Sequence, residues 1–311
     1  MRAAGVTQFG GPDALHLVDV DPEPLGPGQV RLRVQAAAVS PTDTHARSGA
    51  YAGRDPVKTP PWVPGMDVAG VVTEVGEGVD HLAVGDSAMG IVVPFGPHGA
   101  YREDKVLPAG SVVRTPANAT VVEASTLPMN GLTARFSLDL MALQAGQVLA
   151  VTGAAGAYGG YVVQLAKADG LTVVADASEA DEALVKELGA DVVVRRGDDV
   201  ADRIRAHFPD GVDGLADGSV QDALVLPAVR DGGAVATVRG YRGDGQRGLR
   251  FFPTLVRRVA EDRAALDRLR QQAEDGVLTL RVARTLPVEE AAEAHRLLER
   301  GGIRGRLVLT F

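Results

Sequence analysis

The residues with the clearest chemistry are Thr152-Gly153-Ala154-Ala155-Gly156-Ala157-Tyr158-Gly159-Gly160. An apolar run, Val148 to Val151, leads in, and a helical stretch, Tyr161 to Ala168, leads out. A second apolar run, Leu171 to Ala175, closes at Asp176. Strand, small-residue turn, helix, strand is the order of a βαβ unit. Its turn brings backbone amides and a helix N-terminus up to a pyrophosphate. A lone Gly-x-x-Gly says little. Between a strand and a helix, with an acid ending the next strand, it predicts dinucleotide binding over a tight turn in another α/β protein. The candidate contacts are Gly153, Ala155, Gly156, Ala157, Tyr158 and Gly159, with Ser178 beyond the second strand and Val238 at the end of a later one.

The cofactor's ribose end is argued both ways. Asp176 lies near where a carboxylate binds the adenosine ribose hydroxyls and rejects a 2′-phosphate, but its spacing from Gly170 is one residue short of that register. Arg195 and Arg196 end the third strand and could grip a 2′-phosphate bidentately. They could equally be a solvated pair answering Asp198 and Asp199.

These groups need a scaffold, and the middle of the chain predicts one. Helical patterns at Glu182 to Leu188, Val200 to Phe208 and Leu224 to Val229 alternate with short strands at Val192 to Val194, Val212 to Ala216 and Ala234 to Val238. Such alternation predicts a parallel sheet covered on both faces. Leu249 to Phe252 is a further strand, and Leu255 to Ala273 an amphipathic helix broken near Glu261. The first third instead has many short strands with glycine turns, which suggests a folded-over, barrel-like sheet. Met1 to Val6 and His16 to Val20 read as its first hairpin, Val30 to Val34 as a half-buried strand. The last stretch reads as strand Val277 to Val282, helix Pro287 to Leu298 and strand Arg306 to Thr310.

Composition narrows the functions. The formal charge of -8 argues against general affinity for nucleic acid or an anionic membrane. No apolar segment is long enough to span a bilayer, and no signal-peptide core begins the chain, so the expected location is cytoplasmic. The absence of cysteine excludes disulfides, iron–sulfur clusters, cysteine nucleophiles and thiolate metal sites. His45, His81, His98 and Asp67 have no local metal-ligand spacing, so no metal site is expected. His295 sits in a helix without a nearby catalytic partner and reads as structural or exposed.

Several segments together resemble the medium-chain dehydrogenase/reductase superfamily, in particular its zinc-independent quinone oxidoreductase branch. Ser40-Pro41-Thr42-Asp43 followed by Arg47-Ser48-Gly49 is similar to that branch's Asn-Pro-x-Asp…Arg-Ser-Gly. Pro64-Gly65-Met66-Asp67 is similar to its Pro-Gly-x-Glu, and Val84-Gly85-Asp86 and Gly99-Ala100-Tyr101 match its later turn and strand. In zinc-dependent relatives a cysteine falls at Ser40 and a histidine at Met66, and the structural-zinc loop is missing here.

The resemblance implies an α/β chain: a discontinuous GroES-like β-barrel catalytic domain, residues 1–122 and 277–311, plus a Rossmann parallel-sheet nucleotide-binding domain, residues 123–276. It puts Ser40 and Asp43 at catalytic positions, the hydroxyl of Ser40 replacing an amide donor near the substrate carbonyl. It puts Asn130 and Thr133 near the nicotinamide. Tyr51, Trp62 and Phe95 fall on loops that line the substrate pocket in relatives, the alternative being that they cap the small domain's core. It favours NADPH, with NADH the alternative, and a homodimer paired through Leu249 to Phe252. Three functions stand: a metal-independent NAD(P)H reductase of quinones or α,β-unsaturated carbonyls, a zinc-free alcohol or aldehyde dehydrogenase-like reductase, and a non-catalytic nucleotide- or RNA-binding protein, which the acidic balance disfavours.

Overall fold

The expected hairpin forms the start of the chain: β1 (Arg2–Gly5) pairs antiparallel with β2 (His16–Asp19). The computed structural model describes all 311 residues. In β3 (Gln29–Val39), buried Val30, Leu32 and Val34 alternate with more exposed neighbours before Ala36 to Val39 is covered throughout. Ser40 and Pro41 then open α1 (Pro41–Ser48), and Gly49, in the left-handed region, closes it. Strands β4 (Asp67–Val75), β5 (Ser87–Ile91), β6 (Asp104–Pro108) and β7 (Val112–Arg114) follow. A short α2 (Val121–Ala124), boxed by Thr120 and Glu123, precedes α3 (Pro128–Met141).

Alternating elements come next: β8 (Val148–Thr152), α4 (Ala157–Ala168), β9 (Thr172–Ala177), α5 (Glu182–Glu187), β10 (Val192–Arg195), α6 (Val200–His207), β11 (Val212–Asp217), β12 (Val229–Thr237) and β13 (Arg250–Pro253). The chain ends with α7 (Arg263–Glu274), β14 (Val282–Pro287), α8 (Ala291–Arg300) and β15 (Arg306–Thr310).

Contacts divide the chain into two units. The first comprises Met1–Met129, Arg257–Gly276 and Leu280–Phe311. Its seven-stranded sheet runs β14-β15-β3-β4-β5-β7, with β6 also on β3, and is antiparallel except for β14 with β15. Its core gathers Leu32, Val68, Val72, Leu307 and Leu309 with Ala291 and Ala294 of α8. The second unit comprises Asn130–Val256 and Val277–Thr279. Its six strands are all parallel in the order β10-β9-β8-β11-β12-β13. That is third, second, first, fourth, fifth, sixth: the doubly wound order of dinucleotide-binding sheets. Ala150, Val174, Leu215 and Val235 pack there against Ile204 of α6, each large aliphatic side chain worth about 1.5–3 kcal/mol by burial.

Local departures from the sequence reading have physical causes. Helix α4 begins at Ala157, four residues before the expected Tyr161, because Gly159 and Gly160 let its first turn lie against the loop. The segment Leu224 to Val229, expected as helix, is a 3-10 turn over Asp222–Ala228 that contains Pro227. The Gly232-Gly233 pair, expected as a break, lies inside β12. Val277 to Val282 is not a strand: β14 starts where that segment ends, and the Gln164 amide instead clamps Thr279 through Nε2 to Oγ1 at 2.9 Å and from the Thr279 N–H to Oε1 at 3.2 Å. The break near Glu261 is real, because the Asp262 side chain caps α7 by accepting from the Ala265 N–H at 2.9 Å. Leu266 and Leu269 are buried as expected, but α7 belongs to the first unit, with Glu274 Oε1 accepting from the Ala117 N–H at 2.8 Å.

Candidate functional site

In a doubly wound sheet, ligands bind outside the carboxyl ends of the strands where the strand order reverses, here between β8 and β11. The glycine turn lies at that end of β8. Gly153 has a φ of +68°, and a Cβ there would meet Gly218 backbone beyond β11 at 3.0 Å. A Cβ on Gly159 would stand 2.3 Å from the Gly153 carbonyl oxygen. Only glycine lets the turn fold so tightly onto the helix. The first-turn N–H groups of Ala157, Tyr158 and Gly159 consequently project from the start of α4 without intrahelical partners. This cradle fits a dinucleotide pyrophosphate.

Sequence reasoning missed the residues that face this turn. Thr152 donates its hydroxyl to Asp217 Oδ1 at 2.7 Å, and the Asp222 N–H reaches Asp217 Oδ2 at 2.8 Å. The signal was present in Asp217 ending the fourth strand of the series. Tyr158 is tucked against Gly218, its hydroxyl 2.9 Å from Ser137 Oγ, which lies 3.0 Å from Thr254 Oγ1. Burial raises its phenol well above the ordinary range, so it stays protonated. Asn130 and Thr133 lie buried near the start of α3.

Asp176, a candidate for the ribose, commits one oxygen to the glycine turn. Its Oδ1 accepts from the N–H groups of Gly153 at 2.7 Å and Ala154 at 3.2 Å, and the residue is 5% exposed. It anchors the glycine turn from inside. Strand alternation is the reason, since a one-residue offset sends the side chain to the other face. Ala177 and Ser178 follow, the Ser178 hydroxyl bonding Asp181. Arg195 pairs with Glu179 at 3.0 Å, and Asp199 pairs with Arg203 at 2.7 Å, so the arginines do not answer Asp198 and Asp199. The Arg196 N–H bonds the Ala177 carbonyl at 2.9 Å while its exposed side chain makes no hydrogen bond or ion pair. Val238 directly follows β12.

In the first unit, β3 delivers Ser40 and α1 delivers Asp43 to a closed polar cluster. Both are 0% exposed. Asp43 Oδ2 accepts from the Ser40 N–H at 2.8 Å and the Tyr101 hydroxyl at 2.9 Å, and Oδ1 from the Gly65 N–H at 3.2 Å. Burial pushes Asp43 up to about 6, against the lowering pull of these donors and Arg306. The Ser40 hydroxyl is buried, its oxygen turned toward the Asp43 N–H in the capping box that opens α1, while its hydrogen meets no acceptor, a spare donor of the kind that a ligand oxygen satisfies. Tyr101 also lies 3.3 Å from His295 Nε2. His295 is thus buried and partnered by residues remote in sequence, although its 291, 294, 295 spacing marked the inward face of α8.

The remaining candidates for the substrate pocket lie on loops of the first unit. Trp62 stacks on Phe9 with centroids 4.2 Å apart and borders the core, Tyr51 lies beside His45, and Phe95 is 43% exposed beside His98. Asp67 is committed to Arg306 at 2.7 Å and the Met129 N–H at 2.7 Å, while His98 faces Glu23 and His81 the Val112 carbonyl. No three side chains of ligand type meet.

Comparison with known proteins agrees with this architecture. The alcohol dehydrogenase GroES-like domain matches residues 26–117, and a domain described as zinc-binding dehydrogenase matches residues 188–309. The chain is 31% identical to a 2-haloacrylate reductase of Burkholderia, over 99% of this chain and 98% of that one. It is 32% identical to a 2-methylene-furan-3-one reductase of Solanum lycopersicum, over 77% of this chain, and the match spans 62% of that relative's length. Among solved structures it superposes on a mycobacterial protein complexed with NADPH, with a TM-score of 0.87, 28% identity and full coverage of both chains. An NAD-dependent alcohol dehydrogenase gives 0.86 and 29%, also with full coverage. The chain belongs to the medium-chain dehydrogenase/reductase superfamily of NAD(P)-dependent oxidoreductases.

Proposed function

We propose that the protein is an NADPH-dependent, metal-independent reductase that delivers a hydride to the β-carbon of a quinone or α,β-unsaturated carbonyl. The observation that carries this reading is the buried Ser40 hydroxyl, whose hydrogen has no acceptor in the protein, in a chain whose second unit carries a tight glycine turn suited to a dinucleotide. Gly153, Ala155, Gly156, Ala157 and Gly159 would hold the pyrophosphate, and Asn130, Thr133 and Val238 would flank the nicotinamide. The cofactor, when bound, supplies the hydride. The protein's own task is then to meet the negative charge that grows on the substrate's carbonyl oxygen. Ser40 has a donor to spare for it, and Asp43 fixes the main chain that carries that donor.

The NADPH preference rests on two features. Asp176 spends an oxygen on the turn, and Arg196 stands beside Ala177 with an exposed guanidinium that bears on Asp176 without an ion pair and is suited to a 2′-phosphate. Metal independence rests on donor chemistry: no cysteine, serine at position 40 and methionine at position 66, with Asp67 held by Arg306. Tyr51, Trp62 and Phe95 remain the proposed walls for the substrate. The unpaired edge of β13, with half-buried Phe251 and Phe252, supports a homodimer, which sedimentation would show as twice the chain mass. The functional test is NADPH oxidation with a panel of quinones and enones; no turnover with any of them would remove the reading.

A further inference from the structure

A line of buried donors in the first unit ends on Asp43. Arg47, His295, Tyr101 and Asp43 are all under 5% exposed. A guanidinium can only donate, so His295 Nδ1, 3.3 Å from Arg47 Nη1, is the acceptor. The neutral ring then carries its hydrogen on Nε2 and directs it at the Tyr101 oxygen, 3.3 Å away. Tyr101 in turn donates to Asp43 Oδ2. Every bond in the line points the same way. Reversing it would make Asp43 donate to Tyr101 and Tyr101 to Nε2, leaving an Nδ1–H against an Arg47 N–H. Arg47 itself is fixed at its far side by Glu299 at 2.6 Å and the Gly10 carbonyl at 3.1 Å.

We propose that Arg47, His295 and Tyr101 are positioning residues whose one-way line of donors keeps Asp43 an acceptor, so that Asp43 holds the Ser40 main chain and leaves the Ser40 hydroxyl for the substrate carbonyl. The catalytic half of this rests on the reductase reading above. The other charges acting on Asp43 are Arg306, which favours its ionised form, and Asp67, which opposes it; the two are paired with each other. Burial places the Asp43 titration at about 6, within reach of assays. His295 is kept neutral by burial and by Arg47.

The test titrates the Asp43 carboxyl carbon by NMR in the cofactor-free protein and, separately, follows the acid limb of kcat with NADPH and a cyclic enone. Tyr101→Phe removes one donor, so the Asp43 titration should rise by about one unit. The acid limb should move with it, about a tenfold loss at a fixed pH below it, while the KM for NADPH is unchanged. His295→Leu should raise the titration too, whereas His295→Gln, able to accept from Arg47 and donate to Tyr101, should restore it. An unmoved titration in Tyr101→Phe overturns the proposal, and a moved titration with an unmoved acid limb overturns the positioning role. A wild-type protein that turns over no enone or quinone, with the titration still moving, defeats the reductase reading and the catalytic half with it.

Discussion

Two buried groups should make opposite contributions to stability in acid, and removing either exposes the other. His295, with burial and Arg47 against its charged form, is pushed down to about 3 from 6.5. As pH falls through 6.5 the unfolded chain takes up a proton that the native ring refuses, so stability is lost down to the folded value. Between pH 7 and pH 4 this amounts to about 3 kcal/mol. Asp43, pushed up to about 6 from 3.8 chiefly by burial, binds its proton first in the native state. It therefore adds stability as pH falls from about 6 to about 4, by about 2 kcal/mol. The wild-type contributions largely offset each other. Urea denaturation at pH 7 and pH 4 should show the change in stability on acidification to be about 3 kcal/mol more favourable in His295→Gln than in wild type, and about 2 kcal/mol less favourable in Asp43→Asn. Taking differences from wild type cancels the surface carboxylates. If all three proteins lose stability in parallel, the two groups are not held in these protonation states and the account of the cluster is wrong.

Four further outcomes follow from the second unit and the donor set. Gly159→Ala should leave the sheet folded but strain the turn by about 1–3 kcal/mol, and NADPH binding read by fluorescence should weaken at least tenfold; unchanged affinity would remove the glycine turn from the cofactor site. Arg196→Ala should raise the KM for NADPH on the order of tenfold and spare NADH. Asp176→Ser, which loses the turn's anchor, should weaken both cofactors, and improved NADPH binding would show that the carboxylate opposes the 2′-phosphate after all. Activity should survive exhaustive chelation, and a loss that tracks departure of one zinc per chain would overturn metal independence.

The second unit was the more legible part of the chain because its signals are local. Val148–Thr152, the small-residue turn and the following helix lie within a few tens of residues, and period alone orders them. The same locality failed at one-residue resolution: a parallel strand buried on both faces is apolar throughout, so nothing in Val173-Val174-Ala175 says which way Asp176 points. The cluster around Asp43 was illegible for the opposite reason. Arg47 and Tyr101 meet His295 across separations of 248 and 194 residues, through a sheet that brings β15 beside β3. At α7 the inward face of Leu266 and Leu269 was legible from its spacing, while the unit it packs in was not, because its contacts are remote in sequence. Ser40 was singled out only by family resemblance; what the structure adds is that its hydroxyl is buried and its hydrogen has no acceptor.

The central claim is conjugate hydride transfer assisted at a carbonyl oxygen by Ser40. It is tested most directly by reducing a cyclic enone with NADPH deuterated at the transferable position and locating the label in the product by NMR, for wild type and Ser40→Ala. The account predicts deuterium on the β-carbon in both, with kcat lowered by about tenfold to a thousandfold in Ser40→Ala and cofactor affinity unchanged. Deuterium on the former carbonyl carbon, or equal kcat in the two proteins, would contradict it.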